Sequence, residues 1–472
     1  MGEEGRQGLA EPGRIGRAAE LAGRVHGELR HAEREAGQLH SFFADANRHV
    51  VLAAKERAVL RPHGQILRTG DALVPDEASL TSTAWMSGVF HSMVTQGHVS
   101  INRFLSTTHS YLGLFRSHGQ RIFIEVVDGW QLLDAPSAFE MDPSGCRWIY
   151  QHAGGRIEVR SRAGVSSHEL RLEIEVVDGA PCRFLVSSHV ALGGDDGADA
   201  IPLRAARDER GVALGAPPDT DVGRRFPYGC FRIDPVRGTA IEALGGDELL
   251  FADGRSRNQP FLVLVTAASR SVGFRITGHL VASAGSDRGE LDRAADHERS
   301  EQFWRGMSGP LRLLPVAASP LASDVAHIQE ILPWFAHDAL IHYLAPRGLE
   351  QYSGGGWGTR DVCQGPVELL LSLGRHEPVR DLLLRVYRNQ NPDGDWPQWF
   401  MFFERERNIR PGDSHGDIVF WPVLALAQYL LASGDAGILD EPVPFFHAEG
   451  DEHAEHATIW RHVERALAVI GA

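Results

Sequence analysis

Cysteine is scarce in this sequence. The 472 residues hold four, Cys146, Cys182, Cys230 and Cys363, far apart and without a Cys-x-x-Cys pair. They supply neither a disulfide framework nor a zinc pattern, which predicts reduced thiols and a cytoplasmic setting. Positive charge is also short. Lys plus Arg number 47 against 62 Asp plus Glu, a formal net charge of −15. A nucleic-acid or anionic-membrane binder needs a basic face, so neither partner is expected. No apolar run reaches the roughly 20 residues of a membrane span. The start, Met1-Gly2-Glu3-Glu4-Gly5-Arg6, lacks the basic and apolar regions of a signal peptide. Absent too are a Gly-Lys-Ser/Thr phosphate loop and a His-Glu-x-x-His zinc motif, and Gly412-Asp413-Ser414-His415-Gly416 has the Gly-x-Ser-x-Gly spacing without the strand–turn–helix pattern of a nucleophile elbow. What remains is a large acidic chain, 43% hydrophobic and 23% charged, too apolar for disorder and long enough for about three domains.

The period of the hydrophobic pattern changes along the chain. From Arg14 to Leu60 the spacing of Ile15, Leu21, Val25 and Leu29, with no Pro, predicts helix, so residues 1–62 are expected to form a helical N-terminal segment. Residues 63–286 read as many short strands without helices between them. Examples are Arg121–Val127, Arg156–Arg160, Leu170–Val177, Cys182–Ser188, Phe261–Val265 and Val272–Ile276, separated by turns such as Gly154-Gly155 and Asp178-Gly179. Strands in unbroken series predict a large antiparallel β-sandwich. Residues 287–322 read as a helical linker ended by Pro310, Pro315 and Pro320. From Ser323 the chain is helical, with stretches at Val367–Leu373, Val379–Tyr387, Ile418–Leu431 and Ile459–Ile470. The fold class is therefore multidomain, β then α.

Chemistry concentrates between Tyr352 and Trp421. Gly354-Gly355-Gly356 lets the backbone approach a ligand closely. Trp357 offers a flat face of the kind that sugar rings stack on. Arg360 and Asp361 place a cation and an acceptor at a helix start, where an Asp also serves as a cap. The second cluster, Asn391-Pro392-Asp393-Gly394-Asp395-Trp396-Pro397-Gln398-Trp399, joins turn chemistry to aromatic residues, carboxylates and an amide, the make-up of a carbohydrate cleft wall. Core packing under a loop accounts equally well for Phe400, Phe402 and Phe403. The third cluster is Asp413-Ser414-His415-Gly416-Asp417. Helix capping and hydroxyl contact fit it better than a metal site. His447, His453, His456 and His462 sit among acids, but without metal-ligand spacing they read as a solvated acidic loop and helix start, and no metal is expected.

At these residues the sequence resembles the inverting glycoside phosphorylases related to cellobiose phosphorylase. Within that family it is most similar to 1,2-β-oligoglucan (sophoro-oligosaccharide) phosphorylases and to the phosphorylase-like part of cyclic β-1,2-glucan synthases. The segments that carry the resemblance are Gly358–Pro366, Asn391–Trp399, His415–Pro422 and Gly434–Phe446, with Thr81–Tyr111 in the β-rich part. It covers the chain from about Gly70 onward.

The resemblance implies a β-sandwich, a helical linker and an (α/α)6 barrel, with residues 323–472 forming the barrel's N-terminal part. It implies that Arg360 and Asp361 hold hydroxyls of the transferred sugar. Gln364, Trp357, Trp396, Gln398, His415 and Asp417 then lie around the substrate. The implied reaction is phosphorolysis of β-linked gluco-oligosaccharides with inversion, yielding α-glucose 1-phosphate. Inorganic phosphate is the co-substrate, with no other cofactor, and a homodimer of the full-length protein is compatible with it. Because phosphate is itself a nucleophile, one protonated carboxylic acid suffices where an inverting hydrolase needs two carboxylates.

The family's acid sits in a Gly-Asp-Trp-(Asn/Asp)-Asp type segment after the helix that here runs Ala457–Ile470, and this sequence stops at Ala472. No catalytic residue is therefore assigned within it. The chain is expected to be a piece, inactive alone, with Ile418, Leu424, Leu426 and Leu430 exposed. Two rival readings are a non-catalytic carbohydrate-binding protein and a glycoside hydrolase that uses Asp361 or Asp395 with Asp417.

Overall fold

The structure, a computed structural model, describes residues 29–59, 63–96, 103–105, 119–152, 154–190, 192, 204–282, 293–308, 311–344, 356–401, 407–412, 414 and 416–471. They divide into two compact units. One holds the described residues up to 334 except 72–77; the other holds 72–77 and those from 335 onward.

The first unit is an antiparallel β structure. Among the described residues its largest sheet has eleven strands. Their order is Arg30–Glu35, Gln38–Ala44, Arg48–Leu52, Ala138–Asp142, Gly145–His152, Gly155–Ala163, Glu169–Asp178, Ser271–His279, Cys230–Pro235, Val212–Gly215 and Arg204–Arg207. A five-stranded sheet runs Ile241–Gly245, Phe261–Thr266, Phe184–His189, Gln120–Val126 and Gly129–Leu132. A four-stranded sheet begins at Gly64–Arg68. The alternation that predicts these strands is the one that builds the core. In Glu169–Asp178, Leu170, Leu172, Ile174 and Val176 are buried, while Arg171, Glu173 and Glu175 lie on the other face. Trp148 is fully buried. Its ring meets Phe90 at 5.0 Å and Phe139, its cross-strand partner, at 5.1 Å, and its Nε1 donates to Trp85 O at 2.7 Å. Gly155 opens its strand at φ +145°, and a Cβ there would lie 2.1 Å from Asp178 O, so position 155 admits no larger residue.

The helical reading of residues 14–60 is corrected where it can be compared. Arg30–Glu35, Gln38–Ala44 and Arg48–Leu52 are strands of the large sheet; the part before residue 29 lies outside the described residues. Glu35 pairs with Gln38 across a two-residue turn, Ala36-Gly37, with φ +48° and +80°. That is the turn geometry that suits the twist of a hairpin. The first strand is an exposed edge rich in Arg and Glu, so its composition imitates a surface helix.

Helix α1 (Arg293–Ser308) and helix α2 (Ala322–Leu344) follow the sandwich. They are tied to it by side chains. Asp296 accepts from Ser166 N at 3.0 Å. Arg30 donates to both oxygens of Glu330 at 3.0 and 2.9 Å, and Trp334 Nε1 donates to Asn47 O at 2.9 Å. Among the described residues no helix is long and apolar enough to cross a membrane.

Burial also places a titratable group in the sandwich core. His91 is fully buried, with Nδ1 2.7 Å from Ser82 Oγ, and burial pulls its pKa down to about 4. An unfolded His titrates near pH 6.5, so below that pH the unfolded chain binds a proton that the folded one does not. Stability from this group should be intact above about pH 6.5. It should fall as the pH drops from 6.5 to 4, by on the order of 3 kcal/mol. Urea unfolding of the wild type and of His91→Gln across that range should show the shallower pH slope in the variant.

The second unit is helical. Helices α3 (Thr359–Ser372), α4 (His376–Tyr387), α5 (Phe420–Ser433) and α6 (Ile459–Ile470) pack on one another, α3 against α4 and α5, and α5 against α6. In α4 the buried residues Val379, Leu382, Leu383 and Val386 recur at i, i+3, i+4 and i+7. Helix α5 stops at Gly434, whose φ of +70° lets its N–H reach Leu430 O at 3.0 Å. Ile418 and Leu426, expected on an open face, are buried, and Leu430 is half-buried. Leu424 is exposed as expected and forms an apolar stripe of α5 with Phe420 and Leu431, because the helix turns its 422–425–426–429 face inward.

Candidate functional site

The polar cluster of the helical unit forms where α3 starts. A two-stranded ribbon precedes it: Gly356–Gly358 pairs with Trp399–Met401, Trp357 lying opposite Phe400. Thr359 fastens the helix start to the incoming loop. Its N–H donates to Gln398 O at 3.0 Å and its Oγ1 to Pro397 O at 2.6 Å. Thr359, Val362, Cys363, Pro366, Val367 and Leu370 form the buried stripe of α3. Arg360, Asp361 and Gln364 are left on its other side, Arg360 exposed and the other two half-buried. Asp361 lies in the first turn, where its charge favours the positive end of the helix dipole. Gly358 occupies the cap position, and no side chain caps the helix there.

Asp417, just before α5, comes to this helix start. Its Oδ1 lies 3.8 Å from Arg360 Nη1. Gln398 is half-buried, and its Oε1 is buried without a hydrogen-bond partner among the described residues. Arg360, Asp361, Gln364, Gln398 and Asp417 thus supply a cation, two carboxylates and two amides from three nearby segments. His415 lies outside the described residues.

The two tryptophans assigned to the sugar are corrected. Trp357 is fully buried, 5.6 Å from the Tyr343 ring and 6.2 Å from Phe400. Trp396 is fully buried too. Its ring stands at 87° to Tyr387, 5.4 Å away, and its Nε1 donates to Val386 O at 2.9 Å. Both fill the space between helices and ribbon, because the Asn391–Asp395 turn folds back on itself. Asn391 N donates to Asp395 O at 2.8 Å, and Gly394, at φ +101°, passes so close to Arg465 O that a Cβ would lie 2.7 Å from it. Asp395 is occupied as well. Its Oδ1 accepts from Trp396 N at 2.8 Å and its Oδ2 from Ser414 Oγ at 2.9 Å.

A cationic cluster escaped the sequence reading. Arg388 and Arg407 both donate to Asp451, Arg388 Nε at 2.8 Å. Burial pushes the Asp451 carboxyl up, but the two guanidinium groups outweigh it and hold the pKa below the ordinary value. Arg410 lies 3.8 Å over the Phe446 ring and donates to Asn389 O at 2.9 Å. Burial and then Arg407 pull its pKa down to about 10. Nothing in the spacing of these residues announces the cluster; the Phe446–Asp451 loop brings them together. His462, read as part of a solvated tail, is buried. It stacks on Phe445 at 3.8 Å, and its Nε2 lies 3.0 Å from Val443 O. The apolar Ile459, Val463 and Ala466 on the same face of α6 carry it inward. Among the described residues no three His, Cys, Asp or Glu side chains converge as metal ligands.

Comparison with known proteins bears on both units. Residues 27–278, more than half of the chain, match the model of the glycoside phosphorylase supersandwich domain. The chain belongs to this glycoside phosphorylase family. The eleven-, five- and four-stranded sheets fall almost wholly within residues 27–278. A 1,2-beta-oligoglucan phosphorylase from Listeria innocua serovar 6a is 33% identical over 449 residues, covering 93% of this chain and 39% of the relative. The cyclic beta-(1,2)-glucan synthase NdvB of Rhizobium meliloti is 26% identical over 172 residues, 35% of this chain and 5% of that protein. The chain therefore spans well under half the length of either relative.

Proposed function

We propose that this chain forms the supersandwich and part of the catalytic domain of an inverting phosphorylase. Its substrates would be β-1,2-linked gluco-oligosaccharides and inorganic phosphate, and its product α-glucose 1-phosphate. The observation that carries the reading is the supersandwich match over residues 27–278 together with the polar helix start beyond it. In this reading helices α3 to α6 belong to an (α/α)6 barrel. Arg360 and Asp361 hold hydroxyls of the transferred glucose, Gln364 and Gln398 border the subsites, and His415 and Asp417 complete the rim. Phosphate attacks the anomeric carbon from one face while a carboxylic acid protonates the leaving oxygen on the other. No residue of these 472 is assigned as that acid. Phosphate is a co-substrate and no further cofactor takes part. The four free thiols suit a cytoplasmic protein.

Of the two hydrolase readings, the one that uses Asp395 is weakened, since both of its carboxylate oxygens already accept, from Trp396 N and Ser414 Oγ. Calorimetric titration of the chain with sophorotriose, cellotriose and laminaritriose tests the proposal. Sophorotriose should bind best. Equal affinity for all three would remove the β-1,2 assignment. Phosphate-independent release of glucose from sophorotriose would favour hydrolysis instead.

A further inference from the structure

The face of the large sheet turned away from the core carries arginines directly opposite one another. Arg162 faces Arg171, and Arg171 faces Arg275. Like charges so placed destabilise a sheet unless countered. Arg171 is countered by Glu169, and Arg275 by Asp234 at 3.3 Å. Among the described residues no carboxylate pairs with Arg162. Its Nη1 donates to His297 Nδ1 at 2.9 Å, so the ring accepts the bond and brings no negative charge.

Arg162 lines a cavity of about 380 Å³ on the sandwich, together with Arg48, Arg147, Arg160, Arg305 and Trp304. That is the size range of sites that enclose small organic ligands. The carboxylates that line it are already engaged. Glu140 takes a two-pronged contact from Arg147 at 2.7 and 2.5 Å and has Arg48 at 3.6 Å. Glu301 pairs with Arg305, and Asp142 accepts from Ser144 N and Oγ. Arg160 in turn is held by Glu158 and Glu175, which leaves Arg162 as the lining guanidinium with no carboxylate partner among the described residues. Guanidinium groups meet phosphate with charge-assisted, often two-pronged hydrogen bonds. Half-buried Trp304 adds an apolar wall, and the volume exceeds what one phosphate fills.

We propose that this cavity on the supersandwich binds a hexose phosphate, with Arg162 on the phosphate and Trp304 against the sugar ring. The proposal uses none of the residues assigned to the oligosaccharide and stands whether or not that assignment holds.

Calorimetric titration at low salt with α-glucose 1-phosphate, inorganic phosphate and glucose tests it. Glucose 1-phosphate should bind tightest, and its affinity should weaken with added salt. Arg162→Gln should weaken it by at least about tenfold, and Arg162→Lys by less, since Lys keeps the charge without the fork. Trp304→Ala should weaken glucose 1-phosphate while leaving inorganic phosphate unchanged. A thermal melt establishes that each variant is folded; should Arg162→Gln fail to fold, the Lys and Trp304 variants decide. Absence of glucose 1-phosphate binding, or an affinity indifferent to Arg162 and Trp304, would overturn the site. Phosphate binding as tightly as glucose 1-phosphate would overturn the sugar half of the proposal.

Discussion

Trp396→Ala should unfold the helical unit rather than merely blind it to sugar. The indole is fully buried, stands edge-on to Tyr387 and donates to Val386 O. Removing a buried Trp costs about 3–5 kcal/mol, from lost burial and from the cavity left behind. For a unit of this size that lowers the melting temperature by roughly 10 °C or more. Trp357→Ala should behave in the same way, since it sits between Tyr343 and Phe400. Circular dichroism melts of the two variants check this. A sugar platform would give the opposite pattern, an unchanged melt with sophorotriose binding lost, and that pattern would return both residues to the cleft wall.

The two tryptophans show what the sequence could and could not specify. Trp396 stands in a turn beside Asp393, Asp395 and Pro397, where composition suggests an exposed tip. Its burial depends on the chain reversing at Gly394 and pressing against α6, a contact between residues about seventy positions apart. Such a contact leaves no local trace. The polar side of α3 is different. Its buried stripe follows the helical period from Thr359 to Leu370, so Arg360, Asp361 and Gln364 had to fall outside it. Strands with strict alternation, such as Glu169–Asp178, were equally legible. The strands Arg30–Glu35 and Gln38–Ala44 were not. The first is a polar edge, and their turn uses Ala36 at positive φ, where Asn or Asp would have given the signal. The arginines around Asp451 and Phe446 became a cluster only when three separate segments met.

Arg360→Ala should do the reverse of the tryptophan variants and separate binding from folding. The Arg360 guanidinium approaches Asp417 at 3.8 Å, with the two side chains 46% and 55% exposed. An ion pair so open to solvent contributes less than about 1 kcal/mol, so the melting curve should barely move. A charged hydrogen bond to a sugar hydroxyl is worth about 1.5–3 kcal/mol, so affinity for sophorotriose should fall about ten- to hundredfold. Asp417→Asn leaves the guanidinium in place without its counter-charge, and the double variant closes the cycle. If Arg360 served only to pair with Asp417, each single change would cost the same small stability, the double change no more, and sugar affinity would be untouched. If Arg360 binds the sugar directly, its loss should dominate the cycle whatever stands at 417. Calorimetric titration of the four proteins with sophorotriose, beside their thermal melts, distinguishes the two.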